Sequence, residues 1–431
     1  MRHTLTLVLL FFVHTLFAQY NIGHTTITFN DPSRTGGFGS GGGSGRQIQT
    51  EIYYPSDIAG EDVNISSGEF PVIVFGHGFA MSWDAYENIW NEIVPEGFIL
   101  AFPRTEGSLI PAPQHDQFGL DMAFVETKME DENVDAMSLF YNHISTKSAI
   151  MGHSMGGGAT FLAAANNTSI TTIIGLAPAE TTPSAIAEAS NVSVPALVFS
   201  ADEDMVTPAA NHHIPIYNGL GASCKYFVNI LGGAHCYYAN SNFNCDFGEG
   251  TSGGNISITR AQQQIIMFRY VIPWLKLYLY EDCDQHAVFE IDLALDSEVS
   301  YQSSCTGFPS LVYNTDVSSS GPTLSSDDSG GIYQWINCDT GNSEIIGETY
   351  QSYTASQSGN YAVVLGSGLC ADTSDCYNVN VLGIGEIPFN NNKKLFMIID
   401  LMGRETEFKP NTPLIFIYGD GTRERVFKIN E

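Results

Sequence analysis

The chain is poor in positive charge. Its 431 residues hold 17 Lys and Arg against 47 Asp and Glu, a formal net charge of −30. So acidic a surface repels phosphate backbones and anionic lipid heads, which argues against nucleic-acid or membrane-surface partners. No Lys or Arg at all occurs from Leu277 to Asn392, and no cysteine precedes Cys224. Long apolar runs are missing beyond the first 18 residues, so no later segment offers the ~20 apolar residues a bilayer span needs. There is no G-x-x-x-x-G-K-S/T loop, no dinucleotide-binding glycine run after a strand, and no His/Cys set with zinc spacing. No metal or cofactor is therefore expected. What is present, 43% hydrophobic and 12% aromatic residues, suffices for sizeable cores and excludes a disordered or collagen-like chain.

Met1-Arg2-His3, the apolar Leu5 to Leu16 and the small Ala18 read as a secretory leader over residues 1–18. The protein is expected to be exported, where its eight cysteines can pair. Composition then suggests three units, with boundaries near Cys283 and Gly385. Residues 19–282 alternate strands and helices, 283–385 hold the base-free stretch, and 386–431 balance 7 basic against 7 acidic residues.

In the first unit, strands are expected at Ile48 to Tyr54, Phe70 to Phe75, Phe98 to Phe102, Lys147 to Met151, Ile170 to Leu176, Val194 to Phe199 and Cys224 to Leu231. Helices are expected at Ser82 to Val94 with Ser82 as N-cap, Phe118 to Asp131, Met155 to Ala165 and Arg260 to Leu279. Such alternation implies an α/β fold, a mostly parallel sheet with helices on both faces. The Gly/Ser run Gly36 to Gly45 reads as a loop. The second unit, with short alternating stretches such as Gly331 to Ile336 and Gly359 to Leu365, reads as a small all-β sandwich. The third reads as a β meander with an Asp-Gly hairpin at Asp420-Gly421.

The sharpest chemical signal is Gly152-His153-Ser154-Met155-Gly156-Gly157-Gly158, set between an apolar strand and an alanine-rich helix. A serine at such a sharp strand-to-helix turn is exposed for attack, and the helix N-terminus faces developing negative charge. A nucleophilic serine needs a base and an orienting acid, here in the chain order serine, acid, histidine. Asp202, Glu203 and Asp204 compete for the acid after the strand ending at Phe199. Asp204, before the turn at Pro208, is favoured. Clustered carboxylates there could also hold a cation. His235, closing Gly232-Gly233-Ala234-His235 after the next strand, is the candidate base. His212 and His213 read as surface or packing residues, and His153 faces away from the serine. The loop His77-Gly78-Phe79 offers the backbone N–H of Phe79, and the elbow that of Met155, as oxyanion donors. Only residues 177–193 separate two strands beside the elbow, too few for a lid domain, so an open groove is expected.

At these residues the first unit resembles the bacterial cutinases and poly(ethylene terephthalate) (PET) hydrolases, a branch of the α/β-hydrolase fold. The matching pieces are Tyr53-Tyr54-Pro55, His77-Gly78-Phe79, the run around Ser154, Leu176-Ala177-Pro178, Asp204 through Pro208, Pro215-Ile216-Tyr217 and Gly233-Ala234-His235. The resemblance implies hydrolysis of lipid, cutin or polyester esters, with Ser154 as nucleophile, His235 as base, Asp204 as acid and Phe79 and Met155 at the oxyanion. It departs from the family at Phe79, where tyrosine is usual, and near Thr182, where a substrate-stacking tryptophan is usual. Phe79 and Thr182 are thus the expected substrate-binding positions. A small-lipid esterase and an inactive surface adhesin are the alternative readings.

Tyr333-Gln334-Trp335, Gly359-Asn360-Tyr361 and nearby cysteines resemble an Ig-like module of secreted Bacteroidota proteins. Ile399-Asp400-Leu401-Met402-Gly403-Arg404 and Tyr418-Gly419-Asp420-Gly421-Thr422 resemble the C-terminal sorting domain of the type IX secretion system. That machinery would be a partner, export or surface attachment the outcome, and a monomer the expected state. Disulfides could join Cys236 to Cys245 and Cys283 to Cys305, though sequence leaves connectivity open.

Overall fold

A computed structural model describes residues 20–38, 44–305, 313–329, 332–366, 370–381 and 394–428. The leader and the boundary near Gly385 lie outside the described residues. The first unit runs β1 (Asn21–Asp31), β2 (Gly36–Phe38), β3 (Arg46–Ser56), β4 (Gly60–Glu61), β5 (Phe70–Gly76), α1 (Glu87–Ile93), β6 (Ile99–Pro103), α2 (His115–Val134), β7 (Ile144–His153) and α3 (Met155–Ala164). It continues with β8 (Thr172–Leu176), α4 (Ala185–Glu188), β9 (Ala196–Ala201), α5 (His213–Gly219), β10 (Cys224–Ile230), α6 (Phe243–Ser252), α7 (Arg260–Leu279), α8 (Asp284–Leu295) and β11 (Val299–Cys305).

These strands form one 11-stranded sheet ordered β11-β10-β9-β8-β7-β5-β6-β3-β1-β4, with β2 beside β3. From β6 to β10 every neighbour is parallel. β3 runs antiparallel to both β1 and β6, and β11 antiparallel to β10. β5 is buried along its whole length, as a strand covered on both faces must be. Its residues alternate between two cores. Ile73 and Phe75 join Trp90, Tyr270 and Trp274, while Val72 and Val74 join Phe118, Met122 and Ala159. Thus α1 and α7 cover one face, and α2 and α3 the other. A capping box between Thr259 and Gln262 starts α7 at Arg260, the expected residue.

Four expectations change. The sheet does not stop near Cys283: α8 packs its Phe289 into the first core, and β11 adds an edge strand. Because β11 folds back along β10, Cys305 faces Cys224 and bonds to it rather than to Cys283. Cys283 pairs with Cys370 instead, and Cys236–Cys245 and Cys338–Cys376 complete the set. Ser82 makes no side-chain cap, since its hydroxyl bonds to Asp84, and the helix after it splits into 3-10 and α turns. Part of the Gly/Ser run, Gly36–Phe38, pairs with β3 as a strand.

Beyond β11 the described residues form β-strands and turns, with a 3-10 turn at Cys338–Thr340. A three-stranded and a five-stranded sheet share a core of Val317, Leu324, Trp335, Tyr353 and Val363. Leu395–Asp400, Leu414–Tyr418 and Arg423–Val426 form an antiparallel meander over Leu414, Phe416 and Tyr418. Among the described residues no helix is long and apolar enough to cross a membrane.

Candidate functional site

β7 ends at His153 and α3 begins at Met155, leaving Ser154 alone at the turn. Its φ of 56° with ψ of −117° is a conformation that costs a non-glycine residue about 1–3 kcal/mol. Backbone bonds hold it there. Ser154 N–H donates to Leu176 O, and Ser154 O accepts from Gly158 and Ala179 N–H, each at 2.9 Å. The glycines follow from packing. A Cβ on Gly152 would lie 2.3 Å from Gly156 O, one on Gly156 2.1 Å from Gly76 O, and one on Gly158 2.1 Å from Ala179 O. The first turn of α3 therefore sits directly on backbone from β5 and the loop after β8.

Ser154, Met155 and Phe79 share an open, mostly apolar cleft of about 440 Å³ with His115, Thr181 and Thr207. Thr182, expected along this groove, does not line it. Thr181 takes that place, its methyl against Gly158 and its hydroxyl donating to Pro183 O at 2.6 Å. Thr182 is exposed, and its N–H donates to His115 Nδ1 at 3.0 Å. One residue of this loop must fill the notch above Gly158, and the next is turned out to solvent.

Of the three neighbouring acids, Asp204 reaches His235, with Oδ2 2.7 Å from Nδ1. Asp202 accepts from Gly232 N–H at 2.5 Å, and Glu203 from Asn255 N–H at 2.7 Å. Burial alone would raise the Asp204 carboxyl. The facing His235, His213 and the Thr207 N–H outweigh that and hold it below the usual carboxylate range. Among the described residues no group of three or more His, Cys, Asp or Glu could hold a metal ion.

Several residues here have no part in the site expected from sequence. Thr207 lines the cleft and sets its hydroxyl 2.9 Å from Asp204 Oδ2, 2.9 Å from His235 Nδ1 and 3.0 Å from His213 Nε2. His213, on the first turn of α5, is fully buried against this group and bonds to Ser200 Oγ at 2.9 Å. Burial pushes its imidazole down to about 3, so it stays neutral. His153 sets Nε2 3.0 Å from His235 O and Nδ1 2.9 Å from the Tyr86 hydroxyl, which accepts from Gly78 N–H at 2.7 Å. That chain ties the Phe79 loop to the His235 turn. From α6, buried Glu249 accepts the N–H groups of His235 at 3.1 Å and Cys236 at 2.5 Å. Only tertiary contact makes these residues visible, because even neighbours such as Thr207 and Asp204, three residues apart, meet only once the loop is folded and buried.

A strained serine at a helix N-terminus, with a buried Asp–His pair beside its cleft, can support nucleophilic acyl transfer. The comparisons with known proteins agree in kind. Residues 18–305, ending with β11, match the family model described as PET hydrolase-like. The chain belongs to that PET hydrolase-like family. It is 26% identical over 271 residues to the bis(hydroxyethyl) terephthalate hydrolase of Streptomyces coelicolor, covering 63% of this chain and 71% of that protein. It is 26% identical over 216 residues to cutinase est1 of Thermobifida alba, covering 49% and 64%. For cutinase cut1 of Thermobifida fusca the figures are 26% over 215 residues, 49% and 59%. The chain thus spans less than two thirds of each of these two cutinases. These relatives are ester hydrolases.

Proposed function

We propose that the protein is an exported serine carboxylester hydrolase that cleaves polyester or cutin-like ester bonds through an acyl-enzyme on Ser154. The carrying observation is the 2.7 Å Asp204–His235 pair, joined through Thr207 to the cleft that holds Ser154. With His235 Nδ1–H donating to Asp204, Nε2 is left as the basic nitrogen. In the proposed cycle Ser154 Oγ bonds to the ester carbonyl carbon while His235 Nε2 takes its proton. That proton then leaves with the departing alcohol. A water molecule, deprotonated by His235, repeats the attack and frees the acid and Ser154. Backbone N–H groups of Phe79 and Met155 take the charge that develops on the carbonyl oxygen. Between β8 and β9 the longest helix is the four-residue α4, which supports a groove open to polymer rather than a covered lipase pocket.

In the same reading, residues 1–18 direct export and 386–431 engage the type IX machinery, with no part in catalysis. The test is hydrolysis of p-nitrophenyl butyrate, cutin and amorphous PET film by the mature protein, with and without residues 386–431, and by Ser154→Ala. Ser154→Ala should lose roughly 10³-fold or more on every ester, and the tail deletion should lose nothing. Near-wild-type turnover in Ser154→Ala would reject the mechanism. Activity confined to the soluble ester would favour the small-lipid reading, and none at all the adhesin.

A further inference from the structure

Apolar side chains are exposed at the cleft and on the loops that lead into its lining. Phe79 is 47% exposed, Leu109 61%, Ile110 87% and Met205 48%. α6, tied by Asn244 to the loop that carries Phe79, adds two more exposed rings. Phe243 and Phe247, one turn apart, stand 82% and 64% exposed with their rings stacked at 6.2 Å and 22°. Both acids of this helix are engaged by partners. Asp246 pairs with Arg260 at 2.6 Å and accepts from Ser241, and Glu249 is buried on the His235 and Cys236 N–H groups. What α6 shows to solvent is two aromatic rings among Asn, Gly, Thr and Ser, its one part-exposed charge, Asp246, being paired with Arg260, on a chain of net charge −30. The helix is also continuous with the cleft. Asn244 donates to Ala80 O at 2.8 Å, directly after Phe79, and Cys245 is bonded to Cys236 beside His235.

We propose that the exposed face of α6 is a docking ledge for a solid, uncharged polyester, held at fixed distance from the cleft by Glu249, the Cys236–Cys245 bridge and Asn244. This deepens the proposed function and rests on it for the substrate class. The ledge's chemistry favours this occupant. Stacked rings present flat apolar area at little entropic cost, as an uncharged aromatic or aliphatic polymer surface requires. Pairing of Asp246 with Arg260 leaves the ledge without net charge, which lessens the repulsion an acidic protein would feel toward the carboxylates that hydrolysis leaves on such a surface.

The experiment uses the full mature chain and the double variant Phe243→Ser/Phe247→Ser, each in an active and a Ser154→Ala background. Adsorption to amorphous PET film is read by depletion, and p-nitrophenyl butyrate hydrolysis in solution. Adsorption should weaken by about fivefold or more, film hydrolysis should fall with it, and soluble-ester kcat/KM should stay within about twofold. Wild-type adsorption should persist or strengthen in molar salt, as apolar contact does and charge pairing does not. Unchanged adsorption in the double variant overturns the proposal. So does an equal loss on film and soluble ester, which would make the rings structural. A wild-type dimer that the double variant splits, with film binding unaffected, would assign the face to a second copy and likewise overturn it. Adsorption by Ser154→Ala protein is measured without turnover, so failure of the ledge and failure of the esterase reading are separate results.

Discussion

The two sides of the cleft are fixed by different forces. On the Ser154 side, backbone packs on backbone: Gly152, Gly156 and Gly158 admit no Cβ, and main-chain bonds from Leu176 and Ala179 hold the turn. On the Asp204–His235 side main-chain bonds such as Glu203 N–H to Gly233 O are joined by many side-chain constraints. Thr207, His213, Glu249 and the Cys236–Cys245 bridge hold a loop that has little regular structure. The first side is rigid because nothing in it can rotate. The second is adjustable, and because several of its groups titrate it should respond to pH.

The largest effect should come from the rigid side. Gly156→Ala forces a methyl within 2.1 Å of Gly76 O, so β5 and α3 must part. The expected cost is about 3 kcal/mol, or roughly 6–12 °C in melting temperature, with loss of ester hydrolysis. Gly248→Ala is the matched control on α6, where a Cβ would meet nothing within 4 Å. It should be neutral or stabilise by up to ~1 kcal/mol. Equal melting temperatures for the two variants would dissolve the contrast.

On the adjustable side, Glu249→Gln leaves one oxygen to accept and sets an NH2 against the other of the His235 and Cys236 N–H groups, which in the native protein meet separate carboxylate oxygens. We expect kcat to fall by about tenfold, as slight misplacement of a base does, with KM nearly unchanged and stability lower by about 1–3 kcal/mol. A change in KM alone would place Glu249 in substrate binding instead.

The last effect is a slope, absent at neutral pH. His213 is held at about 3 by burial, against an ordinary value of 6.5. Its folded value is depressed, so its contribution to stability is full above 6.5 and is lost as pH falls toward 3. Within that window the unfolded chain takes up a proton that the folded chain refuses, a slope contribution of up to about 1.4 kcal/mol per pH unit. His213→Gln should melt with a flatter pH dependence there, measured calorimetrically between pH 7 and 4. An unaltered slope would mean His213 is not held neutral.

The same division governs what could be read in advance. The elbow was legible because its requirements are local. A strand, three glycines and an alanine-rich helix lie within a short run, and backbone sterics allow few other meanings. Seven of the eleven strands, β3 and β5 to β10, were likewise visible from apolar runs, and α7 began at the expected residue because its capping box is a local motif. Asp204 stood out from Asp202 and Glu203 only through the turn before Pro208, and it is the one of the three bonded to His235. Thr182 was misplaced by a single residue, since which of two adjacent threonines meets Gly158 depends on a loop's path rather than its composition.

The sequence by itself determined the α/β layering, the strained serine turn and the two glycine-marked loops that carry Phe79 and His235, since each rests on short-range periodicity or sterics. Tertiary structure alone decided that the sheet extends to β11, that Cys305 meets Cys224, that His213 and Thr207 share a hydrogen-bond cluster with Asp204, and that Glu249 reaches His235. Those pairings join residues 3 to 81 positions apart, and even the nearest depends on which side of a loop is buried. Burial and hydrogen-bond satisfaction, which only the folded chain defines, selected them.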